Sequence, residues 1–261
     1  LSKLGDFYIN EAFSCSHRKQ ASLHKITNYI DSYGGPLLDK ETRSINLIIK
    51  NKKEPVTSII GGSKVSTKIN VLLNLSKNTN NLVIVGAMAN NFLKFNGLNV
   101  GASLLEKGAE DIIKSIYSSA EKNNCNIIIP IDCVVSNDLN GLPKPKSLSE
   151  IKSEDIILDI GEKTIELINK TIELSKTVFW NGPAGYFENK NFSKGTLSIA
   201  KKISSDTDTK SLISIVGGGD TIAAIKNVEF RKVFTHLSTA GGAFLESIEG
   251  KELPGIKVLK K

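Results

Sequence analysis

Five apolar, β-branched runs in this 261-residue chain end in glycine and open almost at once into helical sequence. They are TSIIGG (Thr57 to Gly62), LVIVGA (Leu82 to Ala87), VFWNGP (Val178 to Pro183), LISIVGGGDT (Leu212 to Thr221) and THLSTAGG (Thr235 to Gly242). Each reads as a buried parallel strand, a turn that glycine tolerates best, and a helix N-terminus. Such a terminus presents unpaired backbone N–H groups and about half an elementary positive charge, which together attract phosphate. Several of them along the carboxyl edge of one sheet make a place for a polyphosphate.

The side chains in these turns narrow the chemistry. In Gly61-Gly62-Ser63-Lys64-Val65-Ser66-Thr67-Lys68 the two lysines lie four apart, on one face if the helix starts at the turn. Two stacked ammonium groups repel unless an anion lies between them; the alternative is a glycine turn with two solvated lysines. The order Gly-Lys-Ser/Thr of a Walker loop is absent. Gly217-Gly218-Gly219-Asp220-Thr221 lets backbone approach a phosphate closely and adds a hydroxyl. Asp220 reads either as a helix cap or as a carboxylate for Mg²⁺, an ion that favours one or two carboxylates with phosphate oxygens and water. Asn181-Gly182-Pro183-Ala184-Gly185-Tyr186-Phe187-Glu188, behind the only tryptophan, Trp180, can wall a base and offer Glu188 to ribose hydroxyls, or serve as a packing turn. Arg18, beside His17, suits a carboxylate or phosphate bidentately, or is solvated.

The elements that must position these groups alternate regularly from Pro55 onward. Strands are expected near 56–60, 82–86, 126–131, 155–159, 178–181, 212–216 and 233–237, and helices near 64–76, 88–96, 105–122, 162–175, 193–204, 220–226 and 241–248. The strands are continuous Val/Ile runs, as when helices cover both faces of a parallel sheet, so the fold class is α/β, doubly wound. Residues 132–152 are turn-rich and read as a surface excursion. After the break at Gly34-Gly35-Pro36, Leu37, Leu38, Ile45, Ile48 and Ile49 recur at helical spacing.

Composition excludes several classes. No run of about 18 apolar residues suggests a membrane span. The net charge is +7, but the lysines are scattered with few aromatics beside them, which argues against a nucleic-acid partner. Cys15, Cys125 and Cys133 are odd in number and form no CxxC pair, which fits a reducing cytoplasm better than a disulfide or zinc.

GDFYINEAFSCSHR, IIGGSKVSTKI, VGAMANNFL, DIGEKTIEL, VFWNGPAGYFE, IVGGGDTIAAI and HLSTAGGAFLESIEGKELPGI resemble, in order and spacing, the signature segments of the phosphoglycerate kinases. The resemblance implies a cytoplasmic, monomeric glycolytic enzyme with two Rossmann-like domains. Such an enzyme moves a phosphoryl group between 1,3-bisphosphoglycerate and Mg-ADP, giving 3-phosphoglycerate and Mg-ATP. It further implies that residues 1–34 are a remnant of the 3-phosphoglycerate domain, 35–50 the inter-domain helix, 51–250 the nucleotide domain and 251–261 a tail returning to the first domain.

By the same resemblance Lys64 follows the transferring phosphoryl group, and Lys68 binds nucleotide phosphate. Gly62 belongs to that turn, and Gly86 and Gly161 lie around the adenine. Asn181 and Pro183 form the nucleotide wall, and Glu188 reaches the ribose. Gly217, Gly218 and Gly219 offer backbone N–H groups, Asp220 holds Mg²⁺, Thr221 meets phosphate, and Gly241 and Gly242 face the transferred group. His17 and Arg18 belong to the 3-phosphoglycerate side. The pattern departs at Gln20 (usually histidine), Ala87 and Ala240 (usually glycine) and Glu162 (usually proline).

The chain starts at Leu1 inside what reads as a helix end, so an upstream portion is expected, and residues 1 to about 27 and the tail after Pro254 are expected to lack backbone partners. The alternative to the enzyme is a non-catalytic Mg-ADP/ATP-binding module.

Overall fold

The computed structural model describes residues 1–226 and 233–259, apart from the side chain of Ile48. The chain opens with strand β1 (Tyr8–Asn10), which pairs in parallel with β2 (Ser32–Gly34), Tyr8 opposite Ser32. Helix α1 (Pro36–Ile49) follows, with Pro36 in the first turn, where a missing N–H costs nothing. Its open amides are met from a distance: the Glu11 carboxylate accepts from the N–H groups of Leu37 (2.8 Å) and Leu38 (3.2 Å). Leu38 and Ile45 are buried while Leu37 is 62% exposed, so the apolar stripe excludes that one residue. Ile48, expected on the same stripe, lies outside the described side chains.

Next come β3 (Val56–Ile60), α2 (Ile69–Asn78), β4 (Asn81–Ile84), α3 (Ala89–Phe95), α4 (Glu110–Lys122) and β5 (Asn126–Ile128). A second series contains β6 (Asp132–Ser136), β7 (Lys144–Ser147), β8 (Ile156–Ile160), α5 (Glu162–Glu173), β9 (Thr177–Asn181), α6 (Lys194–Lys210), β10 (Ile213–Gly217) and α7 (Gly219–Ala224). β11 (His236–Ser238), α8 (Gly242–Ile248) and α9 (Pro254–Lys257) complete the described elements.

Among the described residues six strands form one parallel sheet in the order β11-β10-β9-β3-β4-β5, and all five glycine-ended runs supply strands to it. Successive residues feed opposite faces, as the two-residue period of a strand demands. Ile60, Leu82, Ile84 and Phe179 join the core under α2, α4 and α8, whereas Ile59, Val83, Val178 and Trp180 join the core under α5 and α6. The fold is thus a doubly wound, Rossmann-like α/β layer, as expected from the Val/Ile runs.

Several expectations about elements need correction, among them the helix expected at 105–122, which starts at Glu110, and the strand expected at 233–237, which is β11 at His236–Ser238. The strand expected at 155–159 is β8, but it is not in the parallel sheet: it pairs antiparallel with β6, which pairs antiparallel with β7. The excursion at 132–152 therefore contains strands, hidden from a sequence reading by Pro145 and lysines within it. Helix α2 begins at Ile69 rather than 64, after an irregular turn and one 3₁₀ turn (Ser66–Lys68). Lys64 and Lys68 consequently do not stack on one helical face.

The first segment and the tail also find partners. Besides the β1–β2 pairing, Gly255 N–H donates to Ser16 O (2.8 Å) and Asn10 Nδ2 donates to Gly255 O (3.0 Å). The expected lack of backbone partners is therefore overturned at Tyr8–Asn10 and at Gly255; residues 260–261 of the tail lie outside the described residues.

Candidate functional site

Strand order reverses between β3 and β9, the place where open α/β sheets leave a crevice beyond their carboxyl ends. Three glycine turns interlock there. Gly61 N–H donates to Asn181 O (2.8 Å), and a Cβ on Gly61 would collide with the Pro183 carbonyl oxygen. Gly182 (φ +99) lies equally close against Gly61, so neither position admits a side chain. The third turn is pinned by Thr221, whose buried hydroxyl accepts from Gly182 N–H (2.7 Å) and donates to Gly217 O (2.9 Å). Asn181 Nδ2 also donates to Gly217 O (2.8 Å), and a Cβ on Gly218 (φ +101) would stand 2.7 Å from that nitrogen. Trp180 Nε1 closes the bracket by donating to Gly182 O (2.8 Å).

Lys68 threads this bracket. Its ammonium donates to Gly61 O and to Asn181 Oδ1 (2.8 Å). Burial pushes its pKa down to about 8, and the nearby Asp220 carboxylate only partly offsets this. A desolvated ammonium beside three glycine turns, with its pKa lowered by burial, is a group whose charged form an anion would stabilise. Lys64 is exposed on the irregular turn, and Asp220 is exposed at the start of α7.

Beside the rim opens a cavity of about 360 Å³. One side is the sheet edge: Gly62, Gly86, Ala87, Pro183 and Ala184; the other is apolar, with Leu93, Leu104, Leu139, Ile156 and Leu158. Glu188 and Asp220 stand in the wall as carboxylates. Of the expected nucleotide residues, Gly62, Gly86, Pro183, Glu188 and Asp220 line this space. Lys64, Lys68, Asn181, Gly217, Gly218, Gly219 and Thr221 belong to the turns beside it. Gly161 is outside the wall: it starts α5, donates to Asp132 O (3.1 Å), and a Cβ there would strike the Asp132 carboxylate.

Sequence reasoning missed the apolar half of the cavity and Asp159. This carboxylate is buried in β8, accepts from Gly195 N–H (2.9 Å) and Ile160 N–H (2.9 Å), and is pushed up to about 7 by burial. A lone aspartate inside the apolar run IILDI was the available signal.

The second expected phosphate turn has company. His17, from the first segment, lies against the start of α8, where a Cβ on Gly242 would stand 3.2 Å from its Nε2. Arg18 Nε approaches the same ring nitrogen (3.4 Å), and Gly241 caps the helix. The structure thus brings His17 and Arg18 to the Gly241-Gly242 turn. The alanine departures are harmless to the backbone: among the described residues the only non-glycine positions with positive φ are Asn124 and Ser211. Glu162, in the first turn of α5, pairs with Lys194.

A family profile described as "Phosphoglycerate kinase" matches residues 1–251. The chain belongs to the phosphoglycerate kinase family. It is 43% identical to the phosphoglycerate kinase of Wolbachia pipientis wMel over 263 residues, covering 100% of this chain and 66% of that protein. It is 42% identical to the phosphoglycerate kinase of Zymomonas mobilis over 262 residues, with the same coverage of 100% and 66%. Among solved structures, the phosphoglycerate kinase from Coxiella burnetii superposes with a TM-score of 0.93 at 37% identity, covering 99% of this chain and 66% of that one. The Pyrococcus horikoshii phosphoglycerate kinase gives 0.83 at 27% identity, covering 99% and 65%. The chain spans about two thirds of the length of the curated relatives it matches. No described helix is long and apolar enough to cross a membrane. Within the phosphoglycerate kinase family, then, the interlocked turns and the cavity beside them are the features whose use has to be explained.

Proposed function

We propose that this chain carries the nucleotide side of the reaction in which 1,3-bisphosphoglycerate and Mg-ADP give 3-phosphoglycerate and Mg-ATP, a glycolytic phosphoryl transfer. In that step a terminal ADP oxygen bonds to the acyl phosphorus, the phosphorus–carboxylate oxygen bond breaks, and the carboxylate leaves without needing a proton. One observation carries the reading: a half-buried lysine, Lys68, cross-ties two of three interlocked glycine turns beside a cavity of about 360 Å³, large enough for a base and ribose. On this reading the apolar wall takes the adenine, Glu188 the ribose, and Gly217, Gly218 and Gly219 the phosphates. Asn181, Pro183 and Thr221 hold the turns in register. Gly161 keeps only a supporting role at the head of α5.

Asp220, exposed beside Lys68 and with a single carboxylate to give, fits Mg²⁺, which takes the rest of its ligands from phosphates and water. Such an ion would screen the charge of the nucleotide phosphates. The transition state is loose, with charge spread over three equatorial oxygens, so the protein's part is alignment and electrostatics. A donor preorganised toward developing charge is worth about 2.7–4 kcal/mol, against about 0.3–2 kcal/mol for a helix terminus. Lys64 therefore supplies the larger share, while Gly218 and Gly241, at the heads of α7 and α8, position the group. His17 and Arg18 receive the acid side. We further take 51–250 as the nucleotide domain, 1–34 and 251–261 as parts of the other, and 35–50 as the helix between them. The proposed protein is monomeric and cytoplasmic and needs no nucleic acid.

Calorimetric titration of the chain with Mg-ADP should show saturable binding, and the absence of heat and saturation would refute the nucleotide site. In a protein extended to the length of its relatives, Lys64→Ala should lower turnover about a hundredfold or more with little change in ADP affinity.

A further inference from the structure

Lys64 is exposed on a turn that Val65, its neighbour, anchors in the core by packing, with few hydrogen bonds to distant residues close to the lysine itself. Upstream, Gly62 O accepts from Met88 N–H (2.8 Å). Downstream, the bonds Thr67 Oγ1 to Lys64 O (2.9 Å) and Lys68 N–H to Val65 O (2.9 Å) are local to the turn. Two long-range ties act on this side: Lys68 reaches Asn181 Oδ1 (2.8 Å) at the far end of the turn, and Glu106 holds Ser66, two residues from Lys64. The Glu106 carboxylate accepts from Ser66 N–H (3.0 Å) and from the Ser66 hydroxyl, forty residues away. These bonds, with a smaller pull from Lys64, hold the Glu106 carboxyl below the usual carboxylate range.

The segment bearing Glu106 is itself anchored. Glu106 N–H donates to Asn91 Oδ1 (2.8 Å), and Asn90 Nδ2 donates to Leu104 O (3.3 Å). Both asparagines are buried on α3. Two residues before Glu106, Leu104 stands in the cavity wall. A short strap thus runs from the apolar side of the cavity to the turn that carries Lys64, fixed to a buried helix on the way.

The geometry points to Glu106 as a positioning residue: through Ser66 it holds the Lys64 turn where the terminal phosphate of a bound nucleotide would lie. This rests on the nucleotide reading above and assigns a residue outside the glycine signature to the phosphate end. A carboxylate so placed has two opposed effects. Its charge repels phosphate, whereas its two accepted hydrogen bonds order the turn. Ordering wins, because the charge of a half-exposed carboxylate is screened by water and salt.

The test is calorimetric titration of the whole chain with adenosine, Mg-ADP and Mg-ATP. Glu106→Ala should weaken Mg-ATP about five- to tenfold, the worth of a net hydrogen bond or so, and leave adenosine nearly unchanged. Glu106→Gln, which keeps an acceptor of the same shape, should restore most of the affinity. Ser66→Ala, which spares the backbone bond, should lose less than Glu106→Ala. Equal losses for adenosine and Mg-ATP would mean a general disturbance of the wall and overturn the assignment. Tighter Mg-ATP binding by both Ala and Gln variants would mean a merely repelling charge and overturn it too. Unchanged binding in Glu106→Ala would do the same. If the unmodified chain binds no Mg-ADP, the nucleotide reading itself fails and takes this one with it; binding by the parent isolates the fate of Glu106.

Discussion

The two walls of the cavity are built on opposite principles. The parallel-sheet wall rests on turns packed too tightly for side chains: Gly61 and Gly182 meet backbone against backbone, and Gly218 abuts the Asn181 amide. The facing wall, from α3, the strap and β8, is side chain throughout, with Leu93, Leu104, Ile156 and Leu158. The difference follows from what each wall would meet. Phosphate is held by backbone N–H groups, which must come near, and only glycine lets them. A flat base is held by apolar contact, which many residue types supply. One wall is therefore intolerant of substitution and the other forgiving.

The sharpest way to break this contrast is at Gly61. In Gly61→Ala the new methyl meets the Pro183 carbonyl, a backbone atom with nowhere to go in a buried, cross-tied turn. We expect a loss of about 3 kcal/mol or more in stability. Nucleotide binding should vanish with it. Gly219→Ala in the same rim is the control, since a Cβ there meets nothing within 4 Å. Its denaturation midpoint should match the parent's, and any loss should appear only in phosphate-dependent binding. Similar midpoints for both variants in urea unfolding would show that the rim is not the rigid half.

A smaller effect belongs to Lys68. With its pKa near 8, the free protein begins to lose this charge as pH rises through that value. A bound polyphosphate favours the ammonium and raises its pKa, so binding takes up a proton above pH 8 and affinity falls as pH climbs. The limiting slope is about tenfold per pH unit for a single group. Lys68→Met should bind Mg-ADP weakly and show no such step. A parent affinity that is flat from pH 7 to 9.5 would remove Lys68 from the phosphate site.

The same contrast governs which parts of the fold are legible in the amino-acid sequence. β11, expected at 233–237, spans His236–Ser238 without Val or Ile, but the inner strands β3, β4, β9 and β10 were legible because burial on both faces enforces apolar runs, and the rim because close approach enforces glycine. The antiparallel sheet was not, since β7 is KPKS and half of its residues face water. The helix start at Ile69 was also hidden: Lys68 turns back to cap Gly61 and Asn181, a long-range bond that no local spacing announces. Asp159 and the strap escaped for a related reason. Their partners, Gly195 for one and Ser66 for the other, lie 36 and 40 residues away in sequence.

The forgiving wall is tested most directly at Leu104. It is 54% exposed although it stands in the cavity wall, so its truncation leaves little void in the folded core. Leu104→Ala should therefore melt like the parent. What it removes is apolar surface available to a base, worth about 0.8 kcal/mol per buried CH₂ if fully covered and less here, so ADP and adenosine should both weaken about threefold. Inorganic triphosphate, which has no base, should bind as before, and this equality distinguishes a base contact from a shift in the strap. Were triphosphate to weaken as much as ADP, Leu104 would be acting through Glu106 and Ser66 on the Lys64 turn, and the two walls would be coupled rather than independent.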